Sequence, residues 1–403
     1  MTRSLVVGQS GGPTAVMNAS LVGVLEAARA EHTSIRVLGA RFGIEGVRQA
    51  DYVDLTSLPA AELAVLRRTP GAALGSSRHR QSDAETEAVV RALEAREVGW
   101  LVVVGGNDTA ETLHRVHVAA RRAGSALGVV AIPKTIDNDL PGMDHCPGYG
   151  SAARYLALAV REAGIDTAAM RRTDPVKIVE VMGRNAGWLA AAAALGRERP
   201  TDAPQLIFLP ERPRPLGQML EEIHAAYQAE GWVVVAISEN QRDDAGQPLG
   251  GAVPVYTDPH GHPYYESPGA ALARAVQSTL GLRARYERPG SLQRTSAAAL
   301  SDTDLDEAQQ VGAEAVRRGL DGASDVMVAI QRKDGPGYAT SLDIVPLEQV
   351  AHQERRLPDA FMAPSGTDVT EAFLDYARPL IGGPLPPYWR PILDFRSASS
   401  LLS

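Results

Sequence analysis

Short apolar segments alternate with longer helix-like segments along this chain, and that alternation is the feature that most limits its fold. Ser4–Val7, Trp100–Val104 and Gly128–Ile132 are short apolar runs, each followed by a turn. Further strands are predicted at Val176–Val181, Gln205–Leu209, Val233–Ile237 and Val326–Ile330. Short strands separated by helices indicate parallel sheets, because parallel neighbours need a long crossover between them. We therefore predict an α/β fold with mainly parallel sheets.

Three of the predicted strand ends carry glycine-rich or acidic turns. These turns are Gly8–Thr14, Gly105–Thr109 and Pro133–Asp139. Ligands of parallel α/β sheets bind at the carboxyl ends of the strands. We therefore expect the functional site to be built from these turns.

The composition excludes several classes of function. Cys146 is the only cysteine among 403 residues, which rules out an intrachain disulfide framework and a cysteine-rich metal site. The net charge of -8 argues against a nucleic-acid-binding surface. No signal-peptide pattern and no membrane-length apolar run is present. We expect a cytoplasmic protein with neither nucleic-acid nor membrane partners.

The first turn, GQSGGPTAVMN at Gly8–Asn18, has the character of a phosphate-binding loop. Its glycines would let backbone N–H groups approach an anion, and the following helix would add its positive end. The segment lacks both GxGxxG spacing and the lysine of a nucleotide-binding P-loop. A tight strand–helix turn without a ligand is the alternative.

The second turn, GGNDT at Gly105–Thr109, places an acid at a strand end. Asp108 could hold Mg²⁺ or order phosphate-binding groups. Asn107 or Asp108 could equally cap the next helix, and both roles are compatible.

The third turn, PKTIDNDLPG at Pro133–Gly142, combines acids with a lysine. Phosphoryl transfer to an alcohol needs a carboxylate to accept the hydroxyl proton and cations to offset charge. Asp137 and Lys134 could supply these two roles. The alternative is a turn rich in Asp and Asn. A fourth segment, VEVMGRNAGW at Val179–Trp188, offers a close backbone approach and one guanidinium, or else only a strand–helix connection with a surface arginine.

These motifs and several others follow one another in the order typical of a known family. The set is similar to the phosphofructokinase family, in its pyrophosphate-using bacterial branch, over nearly the whole chain. TIDND together with MGR is the most specific part of the resemblance. The matching segments are GQSGGPTAVMNAS, LGSSR (Leu74–Arg78), GGNDT, PKTIDNDL, PGYGSAAR (Pro147–Arg154), EVMGRNAGW, LPE (Leu209–Glu211), GSLQR (Gly290–Arg294) and DVTEAFLDYARPLIG (Asp368–Gly382).

The resemblance implies two Rossmann-like domains with the active site in the cleft between them. The implied reaction is a reversible, Mg²⁺-dependent transfer of a phosphoryl group from pyrophosphate to the C1 hydroxyl of fructose 6-phosphate. Its products are fructose 1,6-bisphosphate and phosphate. Asp137 would be the catalytic base, and Lys134, Asp108 and Arg184 would also be catalytic. Residues implied to bind the substrate are Thr135, Ile136, Asp137, Met182, Gly183, Arg184, Glu211, Arg285, Ser291 and Arg294. Among them, Glu211 would accept hydrogen bonds from sugar hydroxyls, and Arg285 and Arg294 would bind the sugar's 6-phosphate. Residues implied to bind the donor are Gly11, Gly12, Arg78, Asp108 and Lys134, and those implied to bind the metal are Asn107 and Asp108.

The resemblance also points to the donor. ATP-using relatives typically have glycine where this chain has Asp108 and Lys134. A carboxylate at the first position would oppose the α-phosphate of ATP, and an ammonium at the second would suit a donor without adenosine. The pair is therefore interpreted as a pyrophosphate signature.

Departures from the family pattern leave the acceptor open. Asn107 replaces the usual aspartate ligand of Mg²⁺, and Ser291 replaces a bulkier His or Tyr. Pro175 lies near a position where ATP-using relatives carry a phosphate-binding arginine, for which Lys177 is a possible substitute. Sedoheptulose 7-phosphate is a larger alternative acceptor.

Four other functions are weighed against this one. An ATP-dependent 6-phosphofructokinase is the first alternative. A kinase of the NAD or diacylglycerol type would lack TIDND and MGR. A catalytically silent homologue would have lost the base, yet Asp137 is present. A dinucleotide dehydrogenase would show GxGxxG spacing.

The expected domains follow from the motif order. Residues 1–142 should bind pyrophosphate and residues 143–282 the sugar phosphate, each completed by part of 283–403. In the family some phosphate-binding residues come from a neighbouring subunit, which implies a homodimer or homotetramer with shared active sites.

Overall fold

The computed structural model describes residues 4–31, 35–251, 253–257 and 263–389. These residues form two compact units. Unit 1 falls within Met1–Ala152, Arg294–Arg355 and Pro379–Gly382, and unit 2 within Ala153–Gln293, Arg356–Arg378 and Gly383–Ser403. The expected division at 142/143 and 282/283 concerned which part binds the donor and which the acceptor, and it stays a prediction.

Thirteen strands are assigned in the described residues. They are β1 Ser4–Gln9, β2 Arg36–Ala40, β3 Tyr52–Asp54, β4 Val98–Gly105, β5 Gly128–Pro133, β6 Val176–Val181, β7 Leu206–Phe208, β8 Val233–Ser238, β9 Tyr256–Thr257, β10 Pro263–Tyr264, β11 Ala284–Glu287, β12 Val326–Arg332 and β13 Thr340–Pro346.

The α-helices of the described residues lie between these strands or follow them. They are α1 Met17–Glu31, α2 Ile44–Gln49, α3 Ala60–Arg68, α4 Asp83–Glu94, α5 Asn107–Arg122, α6 Tyr149–Ala169, α7 Trp188–Ala192, α8 Leu216–Glu230, α9 Pro268–Ala275, α10 Leu292–Thr295, α11 Asp302–Leu320, α12 Leu347–Val350 and α13 Glu371–Ala377. None of the helices in the described part of the chain is long and apolar enough to cross a bilayer.

Unit 1 is built on a seven-stranded sheet in the order β13-β12-β5-β4-β1-β2-β3. Its central strands run parallel, and β13 and β3 join the two edges antiparallel. Side chains alternate between the two faces along each strand, and helices pack against both faces, so the sheet is buried on both sides. On β4, Leu101 and Val103 pack in the layer that contains α4 and α5, whereas Val102 and Val104 pack in the layer that contains α1 and α11.

Unit 2 contains a four-stranded sheet in the order β11-β6-β8-β7, with every pair parallel. Its core is formed by apolar residues of β6, β7 and β8 with α8 and α9, including Ile178, Phe208 and Ile223. The prediction of an α/β fold with two mainly parallel sheets is therefore confirmed. The position of the active site in a cleft between domains stays a prediction.

The predicted strands are all present, but β2, β3, β9, β10, β11 and β13 were not predicted. The burial pattern of β13 alternates between partly buried and exposed residues, and β3 has no fully buried residue. Strands at a sheet edge lack the continuous apolar run that marks a strand buried on both faces. For this reason the apolar-run criterion missed the edge strands β3, β11 and β13.

Helices α1 and α11 approach closely enough that two glycines are needed where they cross. A Cβ added at Gly312 would lie 2.0 Å from the carbonyl oxygen of Ser20, and one added at Gly23 would lie 2.0 Å from the carbonyl oxygen of Gln309. Backbone atoms cannot yield as a flexible side chain does. The crossing thus depends on the absence of a side chain at both positions.

We expect Gly312→Ala to destabilise the protein by about 2 kcal/mol, because a methyl group forces the two helices apart. Gly217→Ala is the matched control, since a Cβ at this exposed position of α8 meets no atom within 4 Å. The midpoint of thermal unfolding should fall for Gly312→Ala and stay unchanged or rise slightly for the control. Equal midpoints in the two variants would contradict the packing argument.

Candidate active site

The loops that follow β1, β4 and β5 in unit 1 are joined through their backbones. Ser10 N–H donates to the carbonyl of Val104 (2.9 Å), and Lys134 N–H donates to the carbonyl of Gly105 (3.0 Å). The three turns expected to carry function therefore meet at the carboxyl edge of one sheet, as the parallel order predicts.

Gly11 stands in the first loop where only glycine fits without strain. Its φ is +76°, and a Cβ there would lie 3.0 Å from Nζ of Lys134. Lys134 is 5% exposed, so its ammonium is held close to the loop backbone. The Leu74–Arg78 segment fixes the loop from the other side, since Gly11 N–H donates to the Ser77 carbonyl (3.1 Å) and Ser76 Oγ donates to the Gly11 carbonyl (2.6 Å).

Two arginines converge on Gly12. A Cβ at Gly12 would lie 2.8 Å from Nη1 of Arg294 and 3.6 Å from Nη2 of Arg78. In the described part of the chain neither guanidinium has a carboxylate within ion-pair distance, and the buried Nε of Arg294 has no hydrogen-bond partner. Burial and the neighbouring Arg78 lower the pKa of Arg294 below its usual value, and Asp137 opposes that shift.

A cavity of about 490 Å³ lies over this cationic pair. It is lined by the Gly11–Pro13 loop, by Gly75 to Arg78, by Ala72 and by Arg294. Like charges held together in a partly buried pocket repel each other, and a bound anion would offset this repulsion. The geometry of this pocket is therefore that of an anion site.

The loop that carries Asp137 is held by its neighbours. Asp137 N–H donates to Oγ1 of Thr135 (3.0 Å), and Oδ1 of Asn138 accepts a hydrogen bond from Cys146 N–H (3.0 Å). Asn138 adopts a left-handed conformation with φ of +56°, which asparagine tolerates better than most residues. The charge of the Asp137 carboxylate partly offsets the lowering of the pKa of Arg294. Asp137 therefore lies near the anion site, on a constrained turn.

In unit 2, Met182, Gly183 and Arg184 follow β6. Gly183 has φ of +134°, and a Cβ there would lie 2.7 Å from the Ala186 carbonyl oxygen, so glycine is required. Met182 N–H donates to Oε1 of Gln293 (3.1 Å). The loop consequently presents backbone and an exposed arginine at the carboxyl end of this sheet.

Glu239 is a candidate residue that sequence reasoning missed. Its Oε1 accepts a hydrogen bond from Arg184 N–H (3.3 Å), and its Oε2 lies 3.5 Å from the Arg288 guanidinium. It directly follows β8, the neighbour of β6, so an acid after an apolar strand was the signal that could have revealed it.

Glu211, predicted to bind sugar hydroxyls, is held by backbone donors. Its Oε1 accepts from Gly187 N–H (2.8 Å) and Leu357 N–H (2.9 Å). Its Oε2 is buried and has no hydrogen-bond partner in the described part of the chain. Burial raises the pKa of Glu211, partly offset by the backbone hydrogen bonds. One oxygen is thus anchored and the other is available to a hydroxyl.

Arg285 lies at the opposite end of the same sheet. It pairs in register with Lys177, five positions before Met182, which corresponds to about 16 Å along a strand. Its Nη2 is 2.9 Å from Oδ2 of Asp174. Lys177 is buried and paired with Asp166 (2.6 Å) and Glu287 (3.0 Å). Ser291 is exposed.

Most of the predicted site residues therefore fall into three groups. Gly11, Gly12, Arg78, Lys134 and Asp137 share one edge of unit 1, and Arg294, predicted to bind the sugar's 6-phosphate, lies with them beside Gly12. Met182 to Arg184 lie at the carboxyl edge of unit 2. Arg285 lies at its amino edge.

Residues 4–318 match the protein family described as phosphofructokinase. The chain belongs to the phosphofructokinase family.

Relatives of this phosphofructokinase-family chain carry more than one acceptor in their names. The pyrophosphate–fructose 6-phosphate 1-phosphotransferase of Xanthomonas campestris pv. campestris is 41% identical over 95% of this chain and 92% of that protein. A sulfofructose kinase of Alkalicoccus urumqiensis is 35% identical over 89% of this chain and 91% of that protein. The crystal structure of a pyrophosphate-dependent phosphofructokinase from Marinobacter aquaeolei superposes with a TM-score of 0.85 at 33% identity, over 96% of this chain and 93% of that one.

The residues predicted to bind Mg²⁺ begin helix α5 of this family member. Asn107 Nδ2 donates to the Gln353 carbonyl, and Asp108 is 66% exposed and 3.8 Å from Arg80. Within the described residues, no three His, Cys, Asp or Glu side chains are grouped to hold a metal ion. Mg²⁺ commonly takes one or two carboxylates and completes its shell with water and substrate phosphates. Asp108 and the amide oxygen of Asn107 fit that mode of binding.

Proposed function

We propose that this protein reversibly transfers a phosphoryl group from pyrophosphate to the C1 hydroxyl of fructose 6-phosphate, giving fructose 1,6-bisphosphate and phosphate. The observation that carries the proposal is the convergence of Arg78 and Arg294 on Gly12 without carboxylate partners in the described part of the chain. A small, highly charged anion is the ligand that such a pocket favours. The proposal places the enzyme in the cytoplasm, in glycolysis and gluconeogenesis.

Pyrophosphate fits this pocket better than a nucleotide for two electrostatic reasons. Three cations, Arg78, Arg294 and Lys134, approach the Gly11–Gly12 backbone and can offset several negative charges at short range. Asp108 adds a carboxylate at the end of the neighbouring strand, where the α-phosphate of ATP would have to pass. A bare diphosphate gains the cations without meeting that repulsion.

Asp137 is proposed as the base for the forward reaction. It would accept the proton of the C1 hydroxyl as that oxygen forms a bond to one phosphorus of pyrophosphate. The bridging P–O bond breaks, and its electron pair leaves with inorganic phosphate. Arg294 lies near enough to interact electrostatically with Asp137. In the reverse direction the protonated Asp137 returns its proton to the sugar oxygen.

Mg²⁺, bound with the diphosphate, would supply positive charge that offsets the charge of the phosphoryl oxygens. Asp108 and Asn107 are the residues proposed to hold it. Lys134 and the two arginines would orient the diphosphate independently of the ion.

Met182, Gly183, Arg184 and Glu211 are proposed to bind the acceptor in unit 2. The buried Oε2 of Glu211 has no hydrogen-bond partner in the described residues and is suited to accept a sugar hydroxyl. Ser291 leaves space beside the sugar, so sedoheptulose 7-phosphate remains the second candidate acceptor. The sulfofructose kinase relative supports testing more than one acceptor.

Arg285 is proposed to bind the 6-phosphate of a sugar held by a neighbouring subunit. It lies about 16 Å along the sheet from Met182, beyond the reach of a sugar phosphate bound at Met182 in the same unit. The proposed enzyme is therefore a homo-oligomer with shared active sites.

Asp137→Ser should reduce kcat at least about 100-fold, because general-base catalysis is worth roughly 10²- to 10⁴-fold. Asp137→Asn is the companion variant, since it keeps the size of the side chain and removes only its basicity. Turnover in both directions and calorimetric binding of pyrophosphate should be measured. Substantial turnover in Asp137→Ser would exclude this residue as the base.

Replacing Asp108 and Lys134 together by glycine should shift donor preference toward ATP. We expect the ratio of kcat/KM for ATP to that for pyrophosphate to rise at least about tenfold, which corresponds to ~1.4 kcal/mol. Asp108→Asn separates charge from bulk and should produce part of the shift. Unchanged discrimination in Asp108→Gly, Asp108→Asn and the double variant would refute the donor argument.

Coexpression of Asp137→Ser chains with Arg285→Ala chains should restore activity that each variant lacks alone. In a twofold dimer with shared sites, random pairing leaves about one site in four intact. Differently tagged chains allow the mixed dimers to be purified and assayed. Inactive mixed dimers would show that Arg285 serves the site of its own chain.

A further inference from the structure

A buried ionic cluster lies where the chain returns from the Asp137 loop in unit 1. His145 is 2% exposed, and its two ring nitrogens both face carboxylates. Nδ1 is 2.8 Å from Oδ2 of Asp144, and Nε2 is 2.6 Å from Oε2 of Glu307 on α11. The residue has no part in the proposed donor or acceptor contacts.

The geometry requires an extra proton. A neutral imidazole has one N–H, whereas an ionised carboxylate only accepts hydrogen bonds, so two ion-pair contacts need an imidazolium. Both carboxylates receive a second donor: Glu307 accepts from the Tyr338 hydroxyl at its other oxygen, Oε1 (2.6 Å), and Asp144 accepts from Arg332 at the same Oδ2 that faces His145 (3.1 Å). Two positive and two negative groups thus form a neutral cluster, which is the condition for stable burial of charge.

The charged and titratable groups around His145 come from three parts of unit 1. Asp144 precedes it in the same loop, Glu307 lies on α11, and Arg332 and Tyr338 lie at and beyond the end of β12. Asp304, one turn before Glu307, interacts with it electrostatically. Burial opposes protonation of His145, but the hydrogen bonds and charges of Asp144 and Glu307 prevail and raise its pKa.

The cluster is connected to the catalytic turn through the backbone on both sides of His145. Cys146 N–H, the next backbone donor, binds Oδ1 of Asn138 (3.0 Å). Asp144 N–H donates to the Ile330 carbonyl (2.8 Å). Arg355 donates to the carbonyls of Asn138 (3.0 Å) and Met143 (2.7 Å). The position of Asn138, and with it of adjacent Asp137, is therefore fixed by residues that flank His145.

We propose that His145, bridging Asp144 and Glu307, is a positioning residue that holds the Asp137 loop in its catalytic conformation. The inference rests on the proposed role of Asp137 as the base. It assigns a function to the segment Asp144–Cys146, which follows the TIDND motif. Loss of the bridging proton would leave two buried carboxylates facing a neutral ring and loosen the loop.

The expected pH dependence follows from the sign of the shift. Because the folded pKa of His145 is raised above its unfolded value, its contribution to stability is complete below the unfolded pKa and is lost as pH rises through the folded pKa. Loop order and kcat should therefore fall together on the alkaline side. At pH values near and below the unfolded pKa of His145, where the imidazole is protonated, the bridge should be intact.

Two variants of the partner residues should move the alkaline limb in opposite directions. Glu307→Gln removes the charge that holds the proton and should shift the limb of log kcat about one pH unit downward. Tyr338→Phe removes the hydroxyl that donates to Glu307, which makes that carboxylate a stronger acceptor and should shift the limb upward. A purely structural role would lower stability in both variants without opposite shifts. Limbs that coincide with wild type overturn the proposal.

Hydrogen exchange of full-length protein separates this inference from the proposed function. In His145→Gln the peptide covering 138–148 should exchange at least about tenfold faster than in wild type at one pH, whereas peptides of β6 should be unchanged. Unchanged exchange at 138–148 overturns the positioning role whatever the turnover. If the exchange results are as expected but the wild-type protein transfers no phosphoryl group from pyrophosphate, the proposed function is refuted and the positioning role is not. If His145→Gln does not fold, hydrogen exchange of the same peptide in Glu307→Gln tests the positioning role.

Discussion

The repulsion between Arg78 and Arg294 is the constraint on which the proposed donor site depends. Both guanidinium groups approach Gly12, and burial together with the like charge lowers the pKa of Arg294. Such a pair is unfavourable in the absence of an anion. The surrounding structure must therefore hold the groups together, and it does so through backbone hydrogen bonds together with the nearby charge of Asp137. Ser76 and Ser77 fasten the Leu74–Arg78 segment to the Gly11 loop by hydrogen bonds.

The sheet of unit 1 explains why a backbone scaffold is sufficient. β1, β4 and β5 are adjacent, parallel and buried on both faces, so their carboxyl ends cannot move independently. The hydrogen bonds from Ser10 to Val104 and from Lys134 to Gly105 extend that order beyond the strands. Close packing of α1 on α11 through Gly23 and Gly312 supports the same sheet from one side. The rigid packing of the sheet and helices therefore fixes the positions of the loops that follow the strands.

Sequence patterns predicted the parts of the site that are local and missed those that are assembled from distant segments. The glycine turn at Gly11 and the acidic turn at Asp137 each occupy one short stretch of sequence, so a local motif is enough to identify them. Glu239 follows an ordinary buried strand and acquires meaning only because β8 lies beside β6. Edge strand β13 lacked the apolar run used to find strands.

The cluster around His145 shows the same limit more clearly. His145 and Glu307 are separated by 162 positions, and no spacing rule connects them. The histidine could be read from sequence only as a residue without metal-ligand spacing. Its role emerges from the fact that both ring nitrogens face carboxylates inside a neutral, buried group.

The cluster around His145 and the arginine pair at Gly12, both in unit 1, differ in charge balance. This difference matches their two proposed roles, support of a loop and binding of a ligand. Around His145 the positive and negative groups balance, the hydrogen-bond partners are complete for the ring, and the histidine itself is almost fully buried. Around Gly12 the two arginines have no carboxylate partner in the described part of the chain, and a cavity lies beside them. A balanced buried cluster gains nothing from a ligand, whereas an unbalanced one at a cavity is stabilised by one. Charge balance, rather than the mere presence of charged residues, therefore distinguishes the group proposed to hold the loop from the group proposed to hold the substrate.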